Sequence, residues 1–193
     1  SIFPAGWAFV LSLQKWNGFS EPKFVGARNY AKLITDEEFW AAVTHTGVYL
    51  ALFVPASVLI GLFLAVALNR KIRFIGFYRT AIFVPFVASA AATGILSTYL
   101  FSPQYGLVNN VLRLAGIPTQ GWLEDPNQAM LVIALMSLWG QSAFTTVIYL
   151  AALQDIPPEL LEAAKVDGAS PWQTFWRVVW PELAPVTVFV TIW

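Results

Sequence analysis

The residues of this chain that can do chemistry are few, and they fall in two groups. One lies in residues 155–181, DIPPELLEAAKVDGASPWQTFWRVVWP, where Glu159, Glu162 and Asp167 stand among alanines and leucines. A carboxylate such as Glu159 in this run suits the positive end of a helix dipole. The other is a row of uncharged hydrogen-bonding side chains, Ser137, Gln141 and Thr145, with Ser142 and Thr146 beside it. Residues four apart share one face of a helix. Such a row can serve an uncharged polar solute whose hydroxyls it pairs, but packing between helices, where Ser, Thr and Gln also serve, is placed ahead of it. Gln141 is the best pathway candidate, because an amide left unpaired in an apolar setting is costly. Nucleophilic and metal chemistry lack their ingredients. There is no cysteine and a single histidine, His45, so thiolate, triad and His/Cys ligand sets are not expected, and neither is a cofactor.

The surroundings of these groups are lipid-like. Hydrophobic residues make up 58% of the 193-residue chain and charged ones 11%, where a soluble domain has about 25% charged. Net charge is zero, which gives no electrostatic case for nucleic acid. Three charge-free stretches, 46–68, 80–101 and 128–153, exceed the roughly 20 residues that a helix needs to cross a bilayer. They must be helical, since backbone groups in lipid have no water to bond. Residues 2–13 and those from 183 onward read as partial spans, so the chain is expected to be part of a longer one. Two regions follow: 1–43, a partial span with an external segment, and 44–193, the transmembrane domain.

Loop charges predict orientation. Residues 69–79 carry Arg70, Lys71, Arg73 and Arg79 without an acid, whereas 102–127 carry Arg113 against Glu124 and Asp125. The positive-inside rule makes the first loop cytoplasmic and the second external; by alternation 154–181 is cytoplasmic. In the external segment, residues 29–43 read as one or two short interfacial helices with Trp40 at headgroup depth, and Tyr99 and Trp122 as anchors at the outer interface. The rows Ser89, Thr93, Ser97 and Ser57, Gly61, Ala65 read as packing faces. Pro55 and Pro85 are expected to kink their helices.

The loop 155–181 is polar but patterned. Pro157 and Pro158 open a helix, Glu159 favours its positive end, and Leu160, Leu161 and Ala164 form an apolar stripe. Gly168 ends the run as a C-cap. Ser170, Pro171 and Gln173 then form a capping box for a second helix. Two short helices meeting at a glycine suit docking in a groove on a soluble partner, and equally suit lying on the membrane surface.

The loop also carries a family pattern. Glu162-Ala163-Ala164, Asp167-Gly168-Ala169, Phe175 and Pro181 resemble, with spacing, the EAA motif of ABC importer permeases. Phe24-Val25-Gly26-Ala27-Arg28-Asn29-Tyr30 is similar to an external segment of the binding-protein-dependent sugar permeases, with Ala27 and Arg28 replacing the commoner leucine and glutamate. Asn69-Arg70-Lys71, Phe77, Arg79-Thr80 and Pro85 are similar to their second cytoplasmic loop and third span, and Gly106-Leu107-Val108-Asn109 with Trp122-Leu123 to their next external loop. The resemblance implies an all-α bundle of the type I ABC importer kind in a bacterial cytoplasmic membrane. It implies a transport subunit, not an enzyme, that moves a sugar or sugar-like solute, with glycerol 3-phosphate or a glycerophosphodiester as the alternative. The implied partners are ABC ATPase subunits, a second permease, an extracytoplasmic solute-binding protein and the lipid bilayer. Glu162, Ala163, Ala164, Asp167 and Gly168 are then the expected coupling residues. Glu162 would contact a basic group, Ala163 and Ala164 would keep the helix slim, and Trp172 and Phe175 would pack the loop on the spans.

Overall fold

Lipid admits only backbone arrangements that satisfy their own N–H and C=O groups, and this chain does so with helices. The computed structural model describes residues 2–70 and 73–193; Lys71 of the basic loop lies outside them. Two compact units result, Ser1–Val48 and Tyr49–Trp193.

In the first unit, α1 (Ile2–Ser12) is apolar and exposed throughout its middle. A two-stranded antiparallel hairpin follows, β1 (Gln14–Lys15) on β2 (Lys23–Phe24). The motif around Gly26 has a structural task here. The Nδ2 amide of Asn29 donates to the carbonyls of Ser12 (2.8 Å) and Gln14 (2.9 Å), and the Tyr30 hydroxyl bonds that of Ser12. Carbonyls at a helix end have no partner within the helix, so Asn29 closes α1 from outside. Of the stretch 29–43, expected as one or two short helices, the first part is α2 (Arg28–Ile34), while Phe39, Trp40 and Val43 belong to the long helix that starts at Glu37. The indole N–H of Trp40 donates to the Ile34 carbonyl at 2.8 Å.

Two helices are long and apolar enough to cross a membrane unbroken: α3 (Glu37–Leu68) and α7 (Pro126–Asp155). The 32 residues of α3 reach about 48 Å at 1.5 Å per residue, well beyond a hydrocarbon layer of about 30 Å. That is why α3 starts at Glu37 and not at residue 46: its first turns extend past the apolar stretch.

The stretch 80–101 is not the single helix its composition suggests. It divides into α4 (Ile75–Val87) and α5 (Ala90–Leu100), whose axes differ by 99°. Ala88 and Ser89 are extended, with ψ of 139° and 149°, and the Ser89 hydroxyl caps α5 by accepting from the Ala92 N–H at 3.2 Å. Pro85, inside α4, donates no backbone bond. Ser89 is therefore a capping residue and not part of a packing row.

Small residues bring the second unit together. The buried face of α3 is Ser57, Gly61, Ala65 and Leu68, which includes the expected row. A Cβ placed on Gly61 would overlap Thr145 Cγ2 of α7 and lie 2.8 Å from Thr145 Cβ; only glycine permits this approach. Beside it the hydroxyls of Ser57 and Thr145 bond at 3.1 Å. One turn on, Ala65, Tyr149 and Leu183 are wholly buried, flanked by Val58, Leu62, Leu150, Leu153 and Val179. The Tyr149 hydroxyl donates to Thr187 Oγ1 at 3.0 Å. Phe63 (72% exposed) and Leu59 (66%) face away, as side chains bathed in lipid do.

The loop after α5 carries α6 (Leu107–Leu114) and is tied by one amide. Asn109, 1% exposed, donates to the carbonyls of Pro103 and Gln120 and accepts from the N–H of Gln120 and the indole of Trp122 (2.8 Å). Trp122 is thus not a free interfacial anchor: its indole proton is taken by Asn109, and its ring meets Phe101 edge-on at 5.4 Å.

Replacing Gly61 with valine overpacks the α3–α7 seam. Overpacking of this kind costs about 1–3 kcal/mol, so the thermal unfolding midpoint of Gly61→Val in detergent is expected to fall while Leu59→Val leaves it nearly unchanged. An unchanged Gly61→Val midpoint contradicts the seam.

Candidate functional site: the capped loop and the polar cavity

The segment after α7 folds as its caps dictate. In α8 (Pro158–Val166), Pro157 stands at the N-cap and Glu159 in the first turn. The helix ends in a Schellman motif. The Gly168 N–H donates to Lys165 O (3.1 Å) and the Ala169 N–H to Ala164 O (2.9 Å), while Gly168 takes φ +73°. Ser170 then caps the next helix. Its N–H donates to Gln173 Oε1 at 2.8 Å, and its hydroxyl accepts from the Gln173 N–H at 3.3 Å: the reciprocal capping box is present. The run continues through α9 (Pro171–Thr174), a π turn (Phe175–Val179) and α10 (Trp180–Glu182), and bends by 59° into α11 (Ala184–Ile192).

This scaffold sorts the α8 side chains. Glu159, Glu162, Ala163 and Val166 are exposed, Val166 at 88%, and their spacing of i, i+3, i+4, i+7 places them on one stripe. Leu161 is half-buried and Ala164 is 8% exposed on the other side; α8 packs against the π turn, and Ala164 is not part of the outward stripe. Asp167 is exposed, its backbone N–H donating to Ala163 O at 2.9 Å. Gly168 is exposed and open, so conformation, not crowding, requires it. Trp172, read from the sequence as packing on the spans, is 70% exposed instead.

The polar row of α7 borders a cavity of about 930 Å³ in the second unit. Ser137, Gln141 and Thr145 line it. Ser142 does not: its hydroxyl turns back on its own helix, donating to Trp139 O at 3.2 Å. Thr145 is 2% exposed and engaged with Ser57, so its main task is the seam. The Gln141 Oε1 is buried without a hydrogen-bond partner within the chain, which is costly for an amide. Opposite walls come from Tyr49 and Phe53, stacked at 5.3 Å, and from the α4–α5 break, where Pro85, Thr93 and Ser97 face the cavity. Sequence reasoning assigned Thr93 and Ser97 to packing. The signal that finds them is the pairing of Pro85 with Ser89 as proline and N-cap, which marks a break and hence a wall, not a span. Among the described residues, no charged side chain lines the cavity.

A membrane-spanning all-α bundle, with a capped helix pair at one end and an uncharged polar cavity, is a transport architecture. Comparison with known proteins makes the assignment: residues 57–193 match the model of the binding-protein-dependent transport system inner membrane component, and the chain belongs to that family, the type I ABC importer permeases. Among its relatives, the lactose transport system permease protein LacF of Rhizobium radiobacter is 39% identical, over 99% of this chain and 64% of that protein. The sn-glycerol-3-phosphate transport system permease protein UgpA of Agrobacterium fabrum is 35% identical, over 99% and 65%. A crystal structure of a bacterial ABC transporter involved in the import of the acidic polysaccharide alginate matches with a TM-score of 0.78 and 26% identity, over 98% of this chain and 65% of that one. A second structure matches with the same TM-score of 0.78 over 96% of this chain and 63% of that one; it holds the alginate transporter in complex with an alginate pentasaccharide-bound periplasmic protein. The chain spans about 65% of the length of these relatives.

A side chain at Gly168 is forced into a left-handed conformation that costs about 1–2 kcal/mol. Gly168→Val is therefore expected to speed amide hydrogen exchange across residues 158–166, and Gly168→Asn, which tolerates that conformation, to restore protection. Equal protection in the valine variant contradicts the cap.

Proposed function

We propose that this chain acts as a permease subunit of an ATP-driven importer, moving a sugar-like solute across the cytoplasmic membrane by alternating access. The observation that carries this reading is the outward stripe of α8, closed at its C-terminal end by a Schellman cap and followed directly by a second helix with its own capping box. Glu162 and Ala163 lie at its centre, where a carboxylate and a small side chain can enter a cleft on an ATPase subunit. Asp167 and Gly168 set the turn behind them, and Ala164 lies on the buried side of the helix. Hydrolysis then occurs in the ATPase partner, and its closure is transmitted as a rigid-body movement between two states. A second permease completes the pathway, and an extracytoplasmic binding protein delivers the solute.

For the cargo, the supporting observation is the cavity: hydroxyls, the amide side chain of Gln141, a stacked aromatic pair and no charged lining residue among those described. Ser137 and Gln141 are the pathway candidates, with Thr145 at its edge; Ser142 is not retained. A second reading, glycerol 3-phosphate or a glycerophosphodiester, is favoured by the likeness to UgpA, but a phosphate asks for a basic group facing the pathway.

Two outcomes test these assignments in the assembled transporter. Glu162→Ala is expected to abolish most ATP-dependent uptake while the permease still inserts and accumulates; undiminished uptake overturns the coupling role. Gln141→Leu removes one hydrogen bond, worth about 1 kcal/mol or roughly fivefold, and is expected to raise the apparent KM for the sugar without loss of ATPase association. An unaltered KM removes Gln141 from the pathway.

A further inference from the structure

The aromatic run beyond the capping box has no part in the function described so far. Trp172, Trp176 and Trp180 meet edge-on in sequence, with ring centroids 5.5 and 5.6 Å apart. Four residues overshoot one α-helical turn of 3.6, so side chains at i, i+4 and i+8 drift round the axis by about 40° per step. The π turn Phe175–Val179, closed by a bond from the Trp180 N–H to Phe175 O, is wider than an α turn and takes that drift back. Pro181 follows directly, and its ring would crowd the carbonyl four residues earlier in a regular α-helix; the wider turn relieves this as well. The result is one ridge of three indoles.

That ridge is not buried by the chain. Trp172 is 70% exposed and Trp176 45%. Below it the run leads into α11, where Val188 (58%), Phe189 (49%) and Ile192 (80%) are equally uncovered, and together the two segments satisfy the length and hydropathy of a membrane span. The ridge is therefore continuous with an exposed apolar surface and stands at its loop end, next to the exposed Arg177. Indoles with an apolar body and a free N–H concentrate at the headgroup layer, and a guanidinium beside them suits phosphate.

We propose that Trp172, Trp176 and Trp180 form a phospholipid-interface anchor that fixes the depth of the α8 loop against the bilayer. The π turn is the device that keeps the three indoles in register. This inference rests on the membrane placement of the family and not on the coupling role of Glu162.

These 193 residues contain no cysteine, so Trp172→Cys and Trp176→Cys each provide a single spin-label site in the complete permease complex once any cysteine elsewhere in the subunit and its partners has been replaced. In phosphatidylcholine–phosphatidylglycerol vesicles without ATP, both labels are expected to collide more with dissolved oxygen than with an aqueous nickel chelate. Nickel accessibility as high as that of free label overturns the proposal, and protection from both reagents overturns it in favour of cover by a neighbouring protein. A label at Val166→Cys reads the positioning. It is expected to shift toward water when Trp172 and Trp176 are both changed to alanine and to stay in place when both are changed to tyrosine. An unshifted label in the alanine variant shows that the ridge does not set the loop's depth. Because no ATP or uptake is involved, failure here and failure of the Glu162 role are separately visible.

Discussion

The contact on which the rest of the second unit depends is the approach of α3 to α7 at Gly61 and Thr145. In lipid, helices gain little from hiding apolar surface, because the alternative environment is equally apolar; close packing and a few polar bonds must hold them. Here the missing side chain of Gly61 supplies the closeness, and the Ser57–Thr145 hydroxyl pair supplies the bond. Both proposed sites hang from this seam. One turn of α7 toward one end lies Gln141 in the cavity wall; one turn toward the other lies Tyr149, packed with Ala65 and Leu183. Leu183 sits at the bend that joins the loop run to α11. The seam thus fixes a wall of the cavity and the root of the loop with the same few residues.

Much of this was legible in the sequence because it was written in local chemistry. A capping box needs only Ser170 and Gln173 at the right spacing, and a Schellman cap needs only Gly168, so both could be placed without any tertiary information. The row Ser57, Gly61, Ala65 could likewise be read as a packing face from residue size and helical period. The family itself followed from Glu162 to Pro181.

What was not legible depends on partners far along the chain or on competition between local signals. Residues 80–101 carry no charge, and hydropathy alone makes them one span; the proline and the serine cap inside them outweigh composition and turn the chain by 99°. Trp122 looks like any interfacial tryptophan until Asn109, thirteen residues earlier, takes its indole proton. Ser137, Gln141 and Thr145 form one row by spacing, yet Thr145 is drawn into the seam by Ser57, 88 residues earlier, while Ser142 beside the row bonds its own helix. Trp172 looks like a packing residue by type and position, yet it is 70% exposed.

The central claim is that the outward stripe of α8 is a protein-docking surface facing an ATPase. The most direct measurement is site-specific cross-linking from Ala163→Cys in native membranes, with the cross-linked partner identified by mass spectrometry. The account predicts a covalent adduct with an ATP-binding subunit, whose yield changes between nucleotide-free and ATP-bound states. Adducts with lipid alone, from a protein that still transports, would contradict it and make the loop a membrane-surface element.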